Sequence, residues 1–202
     1  MALVKYNNNS LSAVTATSLA SGSMTLISTT TASSSSTLSI TSGIDSTYPI
    51  YLFKFINIHP SDDSSDLGFQ VDTGTNTNYN LSITSTAFQA GHAEDDSETA
   101  LGYEAGDDQA NGTGFQMITQ TNAGNANDES SSGEMFLFNP SSTTFVKHFI
   151  SRLNTTWSGN GTFEKYAAGY INNTAAVTRI QFKMNAGTID SGLIKLYGIK
   201  DS

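Results

Sequence analysis

The chain has 202 residues, of which 37% are hydrophobic and only 13% are charged, about half the usual charged share of a globular domain. Its formal net charge of −9 disfavours nucleic-acid binding, because contact with the phosphate backbone needs clustered lysine and arginine. The chain contains no cysteine, which excludes disulfide frameworks, thiolate nucleophiles and cysteine-based zinc sites.

Small polar residues take the place of the missing charges, with 28 Ser, 26 Thr and 17 Asn. This composition suits β-strands and turns, although flexible linkers share it. The N-terminus has no apolar run of signal-peptide length, and no segment approaches the ~18 apolar residues that a membrane helix needs. We therefore expect a soluble protein that does not insert into a membrane.

The first 47 residues differ from the rest of the chain. They contain a single aromatic residue, Tyr6, and a run of Thr, Ser and Ala at 29–36. Short alternating pieces, one with Met24 and Leu26 and another with Leu38 and Ile40, predict edge strands. We interpret residues 1–47 as a polar N-terminal arm with edge strands, ordered against a body or a neighbouring copy. A loose tail is the alternative.

The segment 48–58 is apolar on both of its alternating faces and opens a predicted β-sandwich domain over residues 48–202. Such a strand is either covered on both sides within one chain or meets another subunit with its outer face. The face of Tyr51, Phe53 and Phe55 is therefore a candidate interface, and an intramolecular core is the other interpretation.

Later segments such as 67–72, 79–84 and 179–184 alternate with period two between turn-forming clusters of Gly, Asn, Asp and Ser. No window of eleven or more residues has a helical period. About nine or ten strands with irregular loops predict an all-β, antiparallel β-sandwich, with a jelly roll as the first choice.

The longest predicted loop, Gly91–Asn111, is acidic, since seven of the eighteen acidic residues fall between Glu94 and Asp108. Loops of this length are uncommon unless they are functional or mobile. The Gly91–Asn111 loop is therefore a candidate contact or display loop.

Three histidines, His59, His92 and His148, lie far apart in the sequence. Alternation places His148 on the strand face that also carries Ile150, where a core or interface histidine is favoured over a ligand or base. His92 stands beside acidic residues at 94–96, but no strand or helix spacing supports a metal site there. We predict no metal site.

The aspartates and glutamates of the predicted loops lie among Ser and Gly. A catalytic acid needs a partly apolar environment that raises its pKa, and no aromatic neighbours supply one here. No phosphate-binding loop or nucleophile motif is present. We predict that the chain is not an enzyme and has no catalytic residues and no cofactor. A glycan-degrading enzyme on a sandwich fold is the least favoured alternative.

The one tryptophan, Trp157, lies among Thr, Ser and Gly at 155–159. Its indole is either a platform for stacking a sugar or an anchor for the loop. The sequence thus leaves open a second class of function, a receptor- or glycan-binding module. In it, Trp157 and the Gly91–Asn111 loop would meet a glycan of a host surface.

Five stretches distributed along most of the chain carry a resemblance to known proteins. They are Met1-Ala-Leu-Val-Lys-Tyr-Asn-Asn-Asn-Ser10, Tyr48-Pro-Ile-Tyr-Leu-Phe-Lys-Phe-Ile-Asn-Ile-His-Pro60, Phe69-Gln-Val-Asp-Thr-Gly-Thr-Asn-Thr-Asn-Tyr79, Asn139-Pro140 with Phe145-Val-Lys-His-Phe-Ile-Ser-Arg152, and Gly192-Leu-Ile-Lys-Leu-Tyr-Gly-Ile199. The chain resembles a family of structural proteins from tailed phages of marine bacteria, including cyanophages.

This resemblance implies a virion protein that is made in the host cytoplasm and incorporated into the particle. Its partners would be copies of itself and other virion proteins, and its place would be capsid decoration and stabilisation or a tail fibre or other appendage. A strand apolar on both faces and a polar arm fit a homo-oligomer such as a trimer, in which the arm straps neighbours together. The resemblance carries over no catalytic residue.

Overall fold

The computed structural model describes residues 24–119 and 122–200. Within these ranges the chain forms thirteen β-strands and no helix. The strands are β1 (Met24–Thr31), β2 (Leu38–Ile40), β3 (Ile50–Pro60), β4 (Leu67–Thr73), β5 (Ile83–Ala93), β6 (Thr99–Tyr103), β7 (Ala110–Gly112), β8 (Gln116–Met117), β9 (Ser131–Phe138), β10 (Lys147–Trp157), β11 (Gly161–Ile171), β12 (Val177–Met184) and β13 (Ile189–Ile199).

The strands form two antiparallel sheets, which confirms the predicted all-β sandwich. The large sheet has the order β1-β13-β3-β9-β10-β11-β5-β6, with β7 also pairing with β5, and the small sheet has the order β2-β12-β4-β8. Each of the four strands of the small sheet is preceded and followed along the chain by a strand of the large sheet. Strands β9, β10 and β11 follow one another as a meander within the large sheet.

Two edge strands come from the segment assigned to the N-terminal arm. Strand β1 pairs with β13 at one edge of the large sheet, and β2 pairs with β12 at one edge of the small sheet. Leu38, Ile40 and Ile44 join the same buried cluster as the body of the sandwich. The described part of the arm therefore shares one core with the rest, while residues 1–23 lie outside the described residues.

The core lies between the two sheets, and the inner face of β3 is at its centre. Phe53 and Phe55 pack edge-to-face against Phe182 of β12, with ring centroids 5.7 and 5.4 Å apart. Tyr51, Phe53 and Phe55 are between 0 and 2% exposed. Burial corrects the candidate interface and agrees with the other interpretation, an intramolecular core. Phe53 and Phe55 pack against the small sheet, and the hydroxyl of Tyr51 donates to the carbonyl oxygen of Asp45.

The predicted Gly91–Asn111 loop also needs correction. Its residues 99–103 form β6, which pairs with β5 from Phe88↔Tyr103 to His92↔Thr99, and residues 110–112 form β7. The acidic turn between β5 and β6 is therefore short. Strand β6 was not predicted because a five-residue strand with an internal glycine has too few alternating positions to indicate a strand.

Candidate interaction surface

The outer face of the large sheet, defined as the side turned away from the small sheet, carries two neighbouring rows of apolar side chains. Cross-strand register places residues of successive strands side by side, and side chains in register share a face. We call these the apolar rows. The first contains Leu26, Tyr197, Leu52, Phe136, Ile150 and Ala168, and the second contains Met24, Ile199, Ile50 and Phe138.

The outer face carries most of the exposed large apolar side chains of the described residues. Eight such side chains are exposed, and seven of them lie on the outer face; the eighth, Phe145, is 68% exposed in the turn before β10. Three of the seven, Met24, Leu26 and Ile150, belong to the apolar rows. The other four are Ile56 on β3 and Phe88, Leu101 and Tyr103 on the β5–β6 pair. Exposed apolar patches are a common feature of interaction sites.

Aromatic side chains on the same face hold one another in a fixed geometry. The rings of Phe88 and Tyr166 stack at a centroid distance of 4.8 Å with an interplanar angle of 6°, as the strand spacing of about 4.8 Å dictates. The guanidinium of Arg152 lies 5.5 Å from the centroid of the Tyr166 ring. The Tyr166 ring therefore contacts both Phe88 and Arg152 within the chain.

Two ion pairs within the chain lie beside the apolar rows. Lys54 Nζ donates to Glu134 Oε2 at 2.7 Å, and Arg152 donates to Glu164. The hydrogen bond from Arg152 is the largest contribution that lowers the pKa of Glu164. These four charges sum to zero, and Lys195, which is in register with Lys54, adds one positive charge. Covering this part of the outer face therefore buries less unbalanced charge than the net charge of the chain suggests.

In β3 the structure buries the face of Tyr51, Phe53 and Phe55 and turns the alternating face outward. Ile50, Leu52 and Ile56 lie opposite the buried rings of β3 and face outward, with exposures from 4% at Leu52 to 38% at Ile56. His148 and Ile150 share a face as predicted, and that face is the outer one. His148 is exposed and lies 6.1 Å from the ring of Tyr170.

Trp157 is half-buried at the end of β10, where its indole meets Phe163 edge-on at 5.5 Å. Gly159 and Gly161 lie against the ring so closely that an added Cβ would stand 2.6 and 2.9 Å from indole atoms. These contacts fit an anchor for the turn between β10 and β11. The contact with a sugar stays a prediction.

The remaining candidate ligands do not converge. His92 lies 3.3 Å from Asp96 on the surface, and His59 Nδ1 lies 2.7 Å from the carbonyl oxygen of Glu129. In residues 24–119 and 122–200, no three His, Asp or Glu side chains are grouped so that they could hold a metal ion. The same residues contain no helix with the length and apolar character to cross a membrane.

The comparisons with known proteins give no relative. No family model matches the chain, and neither the curated proteins nor the solved structures contain a significant match. Its function is therefore inferred from its own residues and from the outer face.

Proposed function

We propose that this chain is a structural protein of a tailed-phage virion, which assembles with copies of itself through the outer face of the large sheet. The observation that carries the proposal is the pair of apolar rows, of which the first crosses six neighbouring strands of that sheet and the second crosses four. Two places in the particle fit this role, capsid decoration and a tail appendage. We assign the chain no catalytic activity and no cofactor.

Burial of the apolar rows is the driving force of the proposed assembly. Ile150 is 50% exposed, Leu26 is 51% exposed and Met24 is 47% exposed in a single copy. Removing such side chains from water stabilises a complex by roughly 25 cal/mol per Å² of apolar surface. The stacked aromatic rings beside the rows are already ordered, so they lose little conformational freedom on association.

The composition of the chain and its core are suited to a protein that stays folded in a particle outside the cell. The sequence has no thiol to oxidise, and the core between the sheets is filled by aromatic and aliphatic side chains. The resemblance of five sequence stretches to phage structural proteins supports the virion location.

Two measurements test the proposal. Light scattering and sedimentation of the purified full chain give its mass in solution, and we expect a homo-oligomer. Mass spectrometry of purified virions is expected to detect the chain, and electron cryomicroscopy of the particle distinguishes the capsid from the tail. A strict monomer that is missing from virions would contradict the proposal.

A further inference from the structure

We infer that the apolar rows of one copy are covered by the same rows of a second copy, so that two outer faces pack together around a two-fold axis. This inference rests on the proposed self-assembly and specifies its geometry. The partner is a second copy of this chain, and the contact is an isologous one.

The distribution of exposed apolar side chains favours an isologous contact over a head-to-tail one. A head-to-tail contact joins two different patches of each subunit, whereas a two-fold contact uses the same patch twice. Outside the outer face, Phe145 is the one exposed large apolar side chain of the described residues. A single side chain in a turn does not make a second patch, so the apolar complement of one outer face is the outer face of another copy.

The size of the outer face matches what a stable dimer needs. Four adjacent rows of side chains lie on six strands of the outer face. They are the two apolar rows, the row of Lys54 and Glu134, and the row of Ile56 and Asn154. With strands ~4.8 Å apart and same-face residues ~7 Å apart, they cover about 29 by 27 Å, or about 800 Å². Interfaces of standard size bury about 800 Å² per partner.

The charge distribution also permits a face-to-face contact. A chain with a net charge of −9 repels its copies, so a self-contact is best placed where few unbalanced charges meet. Within the four rows the Lys54–Glu134 and Arg152–Glu164 pairs cancel, and Lys195 beside Lys54 leaves one positive charge. Seven acidic residues lie instead at 94–108, beside the β6 edge of the sheet and away from the middle of the apolar rows.

Two matched substitutions test the contact. Ile150 lies on β10, in the middle part of the large sheet, and Ile150→Glu places a carboxylate there twice in a two-fold dimer. Because each buried carboxylate weakens the contact, we expect the dissociation constant to rise by about 100-fold or more. Phe145→Glu introduces the same charge at a more exposed apolar residue off the outer face, and it should leave the dimer intact. Sedimentation over a concentration series measures both.

A cross-linking experiment keeps the inference testable if Ile150→Glu fails to fold. The chain has no cysteine. When a single thiol is introduced, any covalent dimer formed with a short bis-maleimide therefore joins the same position of two copies. We expect Ile150→Cys to form covalent dimers efficiently. Thr75→Cys, in the exposed turn after β4, should not.

The outcomes separate the inference from the proposed function. A dimer that resists Ile150→Glu, or cross-links at Thr75→Cys and not at Ile150→Cys, overturns the two-fold contact while self-assembly stands. A trimeric mass does the same. A monomer that is nevertheless found in virions overturns the inference and the self-assembly part of the proposed function, while the virion location stands. A monomer absent from virions overturns the proposed function as well.

Discussion

Replacing the buried carboxyl group of Asp66 with an amide is expected to stabilise the protein at neutral and alkaline pH. Asp66 lies just before β4 and is 2% exposed; Asn185 Nδ2 donates to its Oδ2 at 3.1 Å, and its buried Oδ1 has no hydrogen-bond partner. Burial raises the pKa of Asp66 to about 7, although the positive charge of Lys165 lowers it, and the negative charge of Asp107 adds to the rise.

The sign of the effect follows from comparing the two states. The unfolded chain ionises Asp66 near its ordinary pKa of 3.8, and the folded chain ionises it near 7. The folded state therefore holds the proton more tightly, and this contribution to stability is fully present below pH 3.8. As the pH rises from 3.8 to about 7, this contribution falls by ~1.4 kcal/mol per pH unit, or by about 4 kcal/mol in total. It is fully lost above about pH 7.

Urea unfolding of the wild type and of Asp66→Asn at pH 5 and pH 8 measures this loss. We expect the difference in unfolding free energy between the two proteins to shift by about 3 kcal/mol in favour of the variant over this range. Taking differences at each pH cancels the titration of all other groups. Asp63→Asn, a matched change at an exposed residue nearby, should show no such shift.

The reasoning would be refuted by an Asp66→Asn variant whose stability follows the wild type in parallel from pH 5 to pH 8. A parallel course would mean that Asp66 is ionised throughout this range, with its charge balanced by Lys165. The same measurement therefore decides which of the two effects, burial or attraction by Lys165, dominates at this carboxyl group.

Three further substitutions test other parts of the structure. Lys165→Met removes a fully buried ammonium group that donates to Asp107, and urea unfolding at pH 7 should show a loss of roughly 3–5 kcal/mol; an unchanged midpoint would contradict the ion pair. Gly169→Ala places a Cβ 2.3 Å from a backbone oxygen of β5. We therefore expect faster amide hydrogen exchange along β5 and β11. Unchanged protection of these amides would show that the strands adjust to the added methyl group. Trp157→Ala should lower the melting temperature and leave a glycan-array profile unchanged, whereas lost glycan binding would restore the sugar-stacking interpretation.

The fold class was predictable because its signals are local. Period-two alternation in β4, β10 and β12 and the polar turns between strands indicate antiparallel strands whatever they pack against. In β3, alternation separates Tyr51, Phe53 and Phe55 from Leu52 and Ile56. It cannot say which set the small sheet covers, because that depends on contacts with β12, more than 120 residues away.

The polar part of the interior was not predictable for the same reason. Lys165 lies on the same face of β11 as the inward-facing Phe163 and Ala167, so the pattern indicates that it is buried and gives no partner. Its acceptors are Asp107 and the carbonyl oxygen of Thr119, in a segment that also places Gln116 over the inner face of β5. No short-range pattern relates these residues to β11, and only the tertiary structure brings them together.

The distribution of polar and apolar groups links the fold to the proposed assembly. Lys147, Lys165 and Asp66 are buried, and burial lowers the pKa of Lys147, whose ammonium donates to the carbonyl oxygens of Phe145 and Asn173. Meanwhile seven large apolar side chains of the outer face remain in water. Buried charges stabilise a monomer little, and exposed apolar rows do so even less. The free energy of covering these side chains is released only when a partner binds the outer face, and this is the contact that the proposed assembly would use.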